Sequence, residues 1–484
     1  MPANFLHGVE TIEVVKGVRT IRGVKTAVIG IVGTAPIWAV AAADRKVNEP
    51  LLILNDIDAA KYFGPVESGY TIPQALKGIF DQGRGIAIVV NVFDPAVHKE
   101  AVVAADYVLD ANDRATLLHK GALSVVVKDQ AGAITYVIDV DYTIEDVAGV
   151  ITVIRKVGGA ILAGATLKIN YDRPDVTDVV NADIIGTVNG AGDRTGMQAW
   201  LDSYNLFGFF PKLLLAPAFC TLDAIVAELV VKADKLRAIA LVDAPIGTTR
   251  ANAIAGRSAP GAINFETSSP RVILCYPHVL IDDGAGGSVL DPYSSRVAGV
   301  IAARDMELGY HWSPSNAEIK GIIGVERRLS AMINDPTSDV NALNEVGITT
   351  IFSSFGTGFR TWGNRSAAWP TDSSPKNLVN VRRTADILHE SIEYAMLQFI
   401  DQPITDALLD AIKDSVNSFI RTLIGRGALI DGACTYDPAK NPPAEIALGH
   451  LVFDLTFMPP PPAERITFES FIDVNLLSAL GAQG

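Results

Sequence analysis

Short, almost wholly apolar runs alternate along this chain with segments of helical period. VKTAVIGIVG, LLILND and GIAIVVNVF fall between residues 24 and 98. Pro73 opens a helix, PQALKGIFDQG, at a first-turn position that proline tolerates. The alternation resumes near residue 190. GMQAWLDSYNLFGF, LDAIVAELVVKADKL and SRVAGVIAARDMELG read as helices, and PKLLLAPAF, AIALVDAP and RVILCYPHV as strands. A strand that is apolar at nearly every position needs cover on both faces. Such strands, separated by helices, predict a largely parallel sheet with right-handed crossovers. The expected core is therefore a doubly wound α/β domain made discontinuously of residues 23–98 and 189–340.

The interruption has a different period. ALSVVVKDQAGAITYVIDVDY reads as a hairpin around a turn at Asp129–Gly132, and ITVIRKV and ATLKINYDRP add strands. No long amphipathic helix intervenes, so 99–188 is expected to be an inserted β-rich domain. Past residue 340 the pattern changes again. ITTIFSSF reads as a strand and GTGFRTWGNRSAAWP as a loop. Two long helices follow, with apolar stripes at Leu388, Ile392, Ala395, Phe399 and at Leu408, Ile412, Val416, Phe419, Leu423. Gly425 is expected to supply a left-handed cap. ALIDGACTYD and LVFDLTF then read as strands. Residues 341–458 are thus expected to form an α+β domain. Residues 1–22, with the weakly alternating VETIEVVK, form an N-terminal arm, and 459–484 a C-terminal linker and arm. The predicted class is α/β and α+β multidomain, with extended terminal strand arms.

Several functions find no support. A chain of 484 residues exceeds one ordinary core. With 49% hydrophobic and 19% charged residues it is not a disordered polymer. The formal charge of -14, without any long Lys/Arg run, opposes direct nucleic-acid binding. Cys220, Cys275 and Cys434 are far apart and read as reduced, buried thiols. The start carries no secretion signal. Gly30, Gly33 and Pro36 break the most membrane-like stretch, Thr26 to Ala43, which reads as a buried strand plus loop. A soluble chain without membrane insertion is expected. There is no G-x-x-x-x-G-K-[ST] loop, and Gly30 and Gly33 do not make the dinucleotide fingerprint. GAGGS at 284–288 reads as a surface loop. His389-Glu390 lacks the second histidine of a zinc helix, FSSFG lacks the first glycine of a serine elbow, and Asp139, Asp141, Glu145 and Asp146 lack EF-hand order. Trp38, Trp200, Trp312 and Trp369 are read as core residues. No catalytic, cofactor-binding or metal residue is assigned, no cofactor is expected, and the chain is read as not an enzyme. The alternative, an α/β ligand-binding protein or enzyme of unknown substrate, needs a convergent polar pocket at the strand C-termini.

One motif is specific. FGTGFRTWGNRSAAWP, Phe355–Pro370, with the helix-rich block after it, resembles contractile tail sheath proteins of bacteriophages, a family related to R-type bacteriocin and type VI secretion sheaths. The opening HGVETIEVVKGVRTIRGVKTAVIGIVGTAP, the segment DVNALNEVGITTI and the ending LVFDLTFMPPPPAERITFESFI share the resemblance, which spares only about 100–188. It implies a structural subunit that stacks as six-fold rings in a helical homo-oligomer around an inner tail tube. Contraction would drive the tube through a bacterial envelope. It further implies baseplate and tail terminator partners, a place in a virion tail or tail-like particle, and assembly in the host bacterial cytoplasm. The C-terminal domain would face the tube, with Arg382 and Arg383 as candidate contacts, and inserted domains would project outward. Termini would reach into neighbours and complete their sheets.

The ending suits that role physically. Leu451, Phe453, Leu455 and Phe457 share one strand face, the expected acceptor sheet. Pro459–Pro462 cannot continue the strand, because prolines donate no hydrogen bond. They favour an extended spacer of roughly 12 Å. Arg465–Phe471 alternates again, with Ile466, Phe468 and Phe471 as anchors, and could join another molecule's sheet edge. Ile12 and Val14 are the N-terminal counterpart. Four to six main-chain bonds at about 0.5–1.5 kcal/mol each, plus two or three buried side chains, roughly offset an ordering cost of about 1–2 kcal/mol per residue. One arm is near break-even; a lattice of arms is not. The competing arrangement is a hairpin folded back on itself. In the loop, Gly358 and Gly363 are expected to permit tight turns while Phe359, Arg360, Trp362, Asn364 and Arg365 hold it together; a ligand site is the competing reading.

Overall fold

A computed structural model describes residues 21, 23–83, 85–258, 260–332, 334–354, 356 and 358–480. The expected N-terminal arm residues Ile12 and Val14 lie outside the described residues. Strands β1 (Val28–Gly33), β2 (Leu51–Ile53) and β3 (Ile86–Asn91) come first. The insertion supplies β4 (Lys99–Val108), β5 (Arg114–Thr116), β6 (Leu123–Asp129), β7 (Tyr142–Val147), β8 (Val150–Arg155) and β9 (Thr166–Pro174). Then follow β10 (Leu213–Leu215), β11 (Ile239–Asp243), β12 (Val272–Cys275), β13 (Val279–Asp282), β14 (Ser288–Asp291) and β15 (Gly324–Val325). The last four are β16 (Ile348–Ser354), β17 (Gly358–Trp362), β18 (Asp431–Tyr436) and β19 (Phe453–Met458).

Eight strands form the central sheet in the order β17-β16-β12-β11-β10-β1-β3-β2. The run from β3 to β16 is parallel, and β2 and β17 add antiparallel edges. All six residues of β1 are buried. Val28 and Val32 belong to one apolar core and Ile29 and Ile31 to another, so each face of the sheet is covered. Helix Asp223–Leu236 packs on the first face through Ile225 and Leu229. Helices Ile72–Phe80 and Tyr293–Glu307 pack on the second through Leu76, Ile79, Val297 and Ile301. Gly299 lets these two helices touch: a Cβ there would lie 2.8 Å from the Ile79 carbonyl oxygen. A three-stranded sheet, β14-β13-β15, lies beside them.

The insertion contains two three-stranded sheets, β4-β9-β6 and β5-β8-β7, around its own core of Val127, Tyr142, Val153, Leu167, Ile169 and Tyr171. Its ends meet: the Asp175 amide donates to the His98 carbonyl at 3.0 Å. The turn at Asp129–Gly132 forms, but the returning strand is reduced to one bridge, Lys128 to Thr135. β4, whose sequence KEAVVAADYV is only partly alternating, escaped the sequence reading. Trp38 of the main body packs flush on the insertion, since a Cβ on Gly149 would lie 2.1 Å from its ring.

Two expectations are corrected. The strand 348–354 and the first part of the expected loop belong to the central sheet, so a boundary at 341 falls too early. Residues 358–362 are strand β17, because aromatic and β-branched side chains alternate there and Trp362 stacks on Phe352 with centroids 4.6 Å apart. The left-handed glycine after the second long helix is Gly427, with φ +75°, because the helix runs on through Gly425.

Candidate assembly surface

The C-terminal domain is built on helices Val379–Met396 and Asp406–Gly425 and the strand pair β18–β19, with a short helix, Pro443–Ala447, in the connection between the strands. Leu388, Val416, Phe419, Ile420 and Leu423 form its core with Cys434, and Phe453, Leu455 and Phe457 pack against them from β19. Leu451 precedes the strand and is half-buried. The first helix is fastened to the main body by buried ion pairs. Arg271 grips Asp386 through both terminal nitrogens, at 2.5 and 2.8 Å. Lys212 pairs with Glu390 at 2.5 Å, so Glu390 is an interior contact rather than a polar helix edge.

Arg382 and Arg383 need correction as candidate tube contacts. Arg383 is 4% exposed, pairs with Asp305 at 2.5 Å and donates to the Thr26 carbonyl. Arg382 donates to Asp386 at 2.7 Å and its side chain is 15% exposed. Both charges are paired within the chain, Arg383 with Asp305 and Arg382 with Asp386, and both side chains are largely buried.

The hairpin has unequal edges. Asn417 donates to the Cys434 carbonyl at 2.9 Å and accepts the Cys434 amide at 2.8 Å. The main chain of Cys434 therefore points away from β19. Opposed residues of an antiparallel pair turn their main-chain groups either toward each other or both outward. Leu455, opposite Cys434, must then face away from β18, and so must Phe453 and Phe457. Asn441 holds Val452, at 2.7 and 2.9 Å, on the inner side. β18 is capped at Cys434, while β19 has no second strand neighbour among the described residues.

The prolines do not hang free. Pro459 is buried, and the Asn380 amide donates to the Pro460 carbonyl at 3.1 Å. Arg365 forks onto Glu464, donates to Asn377 at 2.8 Å and lies 4.3 Å from the centroid of the Trp369 ring. The linker is thus pinned at both ends. The other loop residues are engaged as well. Arg360 donates to the Asn316 carbonyl at 3.0 Å, Asn364 accepts from Ser313, and Phe359 packs on the second core. Gly363, with φ +142°, runs against Thr349, where a Cβ would lie 3.0 Å from its Cα. A cavity of about 400 Å³ remains between Asn344, Trp362, Arg365, Trp369 and Glu464. Beyond Glu464 no strand forms among the described residues, and Ile466, Phe468 and Phe471 are exposed, Phe468 at 89%.

Elsewhere, polar groups serve the fold. At the end of β11, Asp243 accepts from the amide and hydroxyl of Ser294, at 2.8 and 2.5 Å, with the Cys220 thiol 3.7 Å away. Burial pushes both the Asp243 carboxyl and the Cys220 thiol up. None of the three is exposed, and the group ties a strand end to the next helix. This cluster was invisible in the sequence, where its members stand 23 and 51 residues apart. Asp141 accepts from the amides of Val137 and Ala160, which hold its carboxyl below the usual range. Glu145 pairs with Arg114 and Asp146 takes the Gly149 amide. Trp38 and Trp200 are buried, but Trp312 is half exposed and Trp369 only partly buried, against expectation. Among the described residues no His, Cys, Asp and Glu cluster is placed to hold a metal, and no helix is long and apolar enough to cross a membrane.

Comparison with known proteins gives a consistent answer. Residues 192–367 match the model of the phage tail sheath protein central domain, and 371–473 that of the phage tail sheath C-terminal domain. The tail sheath protein of Burkholderia phage BcepMu is 52% identical over 99% of each chain. That of Escherichia phage P2 is 26% identical over 99% of this chain and 98% of its own. The anti-feeding prophage helical sheath, solved in its contracted state, shares the fold at a TM-score of 0.60 and 17% identity, over 97% of this chain and all of that one.

Proposed function

The chain belongs to the phage tail sheath family, and from that premise we propose how its surfaces build a sheath. The protein is a structural subunit of a contractile tail sheath. Its copies stack as six-fold helical rings around an inner tube and contract to drive the tube through a bacterial envelope. The C-terminal domain faces the tube, while baseplate and terminator proteins close the two ends. The particle is a virion tail or tail-like device assembled in the host cytoplasm. Helical layers on both sheet faces support a doubly wound reading of the central domain.

The terminal arms link the copies by strand exchange. One observation carries this reading. The outward main-chain groups of Phe453, Leu455 and Phe457 offer an open edge, while Ile466, Phe468 and Phe471 hang exposed beyond a pinned linker. An open edge and an uncovered alternating segment on the same molecule complement each other between copies. Such a contact is heterologous, so it propagates into rings and helices.

Removal of residues 465–484 tests it. We expect a folded monomer with an unchanged circular dichroism spectrum and no tubes in negative-stain images. Tubes of normal length and stability from the truncated chain would remove strand exchange from the account.

A further inference from the structure

The arm does not end with its strand. Beyond Phe471, residues 474–479 form a short 3-10 turn, started by Asp473, whose carboxylate accepts the Asn475 amide at 2.8 Å. Val474, Leu476, Leu477 and Leu480 are all exposed, and Ile472 is 99% exposed. Apolar side chains this exposed, in so short a segment, call for cover. Strand addition accounts for 465–471 alone.

The same chain carries a matching concavity. A groove of about 550 Å³ lies at the turn between the two C-terminal helices. Phe399, Pro403, Leu408 and Ala411 line it, with Gln398 and Thr405 also in its wall. Leu397 and Ile400, exposed large apolar side chains, belong to the same turn.

The hairpin fixes where an incoming arm would lead. A Cβ on Gly432 would lie 3.2 Å from Ile420, and Cys434 is bonded to Asn417. β18 therefore runs antiparallel to helix Asp406–Gly425, and its Tyr436 end points to the N-terminal half of that helix. An arm strand added antiparallel to β19, the more stable pairing, runs from the Met458 end to the Phe453 end. It leaves the sheet beside Phe453, with β19 between it and Tyr436, so it starts about 10 Å to the side of β18. From about Lys413 to Leu408 the helix covers roughly 8 Å. With the sideways offset the path is about 13 Å; Ile472 and Asp473, extended, span about 7 Å, and the 3-10 turn as far as Leu477 adds about 8 Å. The leucines arrive at the groove.

We propose that the leucine-bearing turn at 474–480 is a second anchor, which plugs the groove at Phe399, Leu408 and Ala411 of the same neighbouring copy whose β19 receives the arm strand. The inference rests on the strand-exchange reading and extends it. The strand supplies register and direction. The plug locks the end, so withdrawal requires two contacts to break together.

The test uses full-length chains mixed in pairs before assembly. One pair carries Leu477→Cys in one chain and Ala407→Cys, at the groove wall, in the other. A control pair carries Phe468→Cys and Thr456→Cys. A short bifunctional thiol reagent is then applied to the tubes. The native cysteines are buried and do not compete. Both pairs are expected to cross-link between copies. Cross-linking of the control pair alone overturns the plug and leaves strand exchange standing. Cross-linking of neither overturns both. Cross-linking of the plug pair alone keeps the groove contact and removes the strand from it. As a second measurement, Leu476→Ser with Leu477→Ser, both exposed in the single chain, should leave the fold intact. It should raise the critical concentration for tube growth on the order of tenfold or more. An unchanged critical concentration overturns the proposal.

Discussion

Single residues decide how firmly the C-terminal domain sits on the body. Asp386 accepts from both Arg271 and Arg382 in an interior joint. Removing one partner of such a buried pair strands the other charge. Asp386→Ala should therefore cost about 3–5 kcal/mol in urea unfolding, whereas the apolar double replacement Arg271→Met with Asp386→Leu should cost much less. Equal losses in the two variants would show that packing, not stranded charge, holds the joint. Asp291 gives a pH signature. Burial raises its pKa from 3.8 to about 6, against the pull of Arg296. The folded chain then binds this proton more tightly than the unfolded chain. The contribution is fully present below about pH 4 and is lost as pH rises through about 6. Asp291→Asn should flatten that part of the melting temperature against pH profile. A slope identical to the parent's across this window contradicts the assignment.

Elements are where the sequence was most legible. The apolar runs that became β1, β3, β11 and β12 stand where their pattern put them, because a strand covered on both faces has little choice of composition. The two amphipathic helices were equally plain. What escaped were elements defined by their neighbours. β17 looked like a loop because its glycines outweigh five residues of alternation, and only pairing with β16 makes it a strand. Arg382 and Arg383 looked like a surface because nothing local announces Asp305, 78 residues before Arg383. The proline linker was read as a free spacer for the same reason: Arg365 lies 99 residues before Glu464. That pin makes a prediction. Glu464→Gln should leave the melting temperature unchanged but weaken assembly by about 1 kcal/mol, roughly fivefold in critical concentration, since the arm loses its preset direction. An unaltered critical concentration in this variant would mean that the pin guides nothing.

At the scale of the whole molecule, the insertion is a guest with one narrow entrance, marked by the Asp175 to His98 bond. Replacing residues 99–174 by two glycines should leave the eight-stranded sheet folded and tubes still forming, as read by circular dichroism and negative stain. The exposed Trp38 face should cost some solubility. Unfolding of the remainder would show that the insertion is part of the main core. The family resemblance was carried by the motif Phe355–Pro370, by the segment DVNALNEVGITTI before it and by both chain ends, and the comparisons bear out the family. The surfaces that the ends meet had to come from the structure, because Asn417 capping Cys434 is a contact no pattern encodes. The pinned linker has one last consequence. With Pro460 and Glu464 bolted to the body, a turning subunit works as a crank. Its throw passes through these two pins to the exit point of the arm.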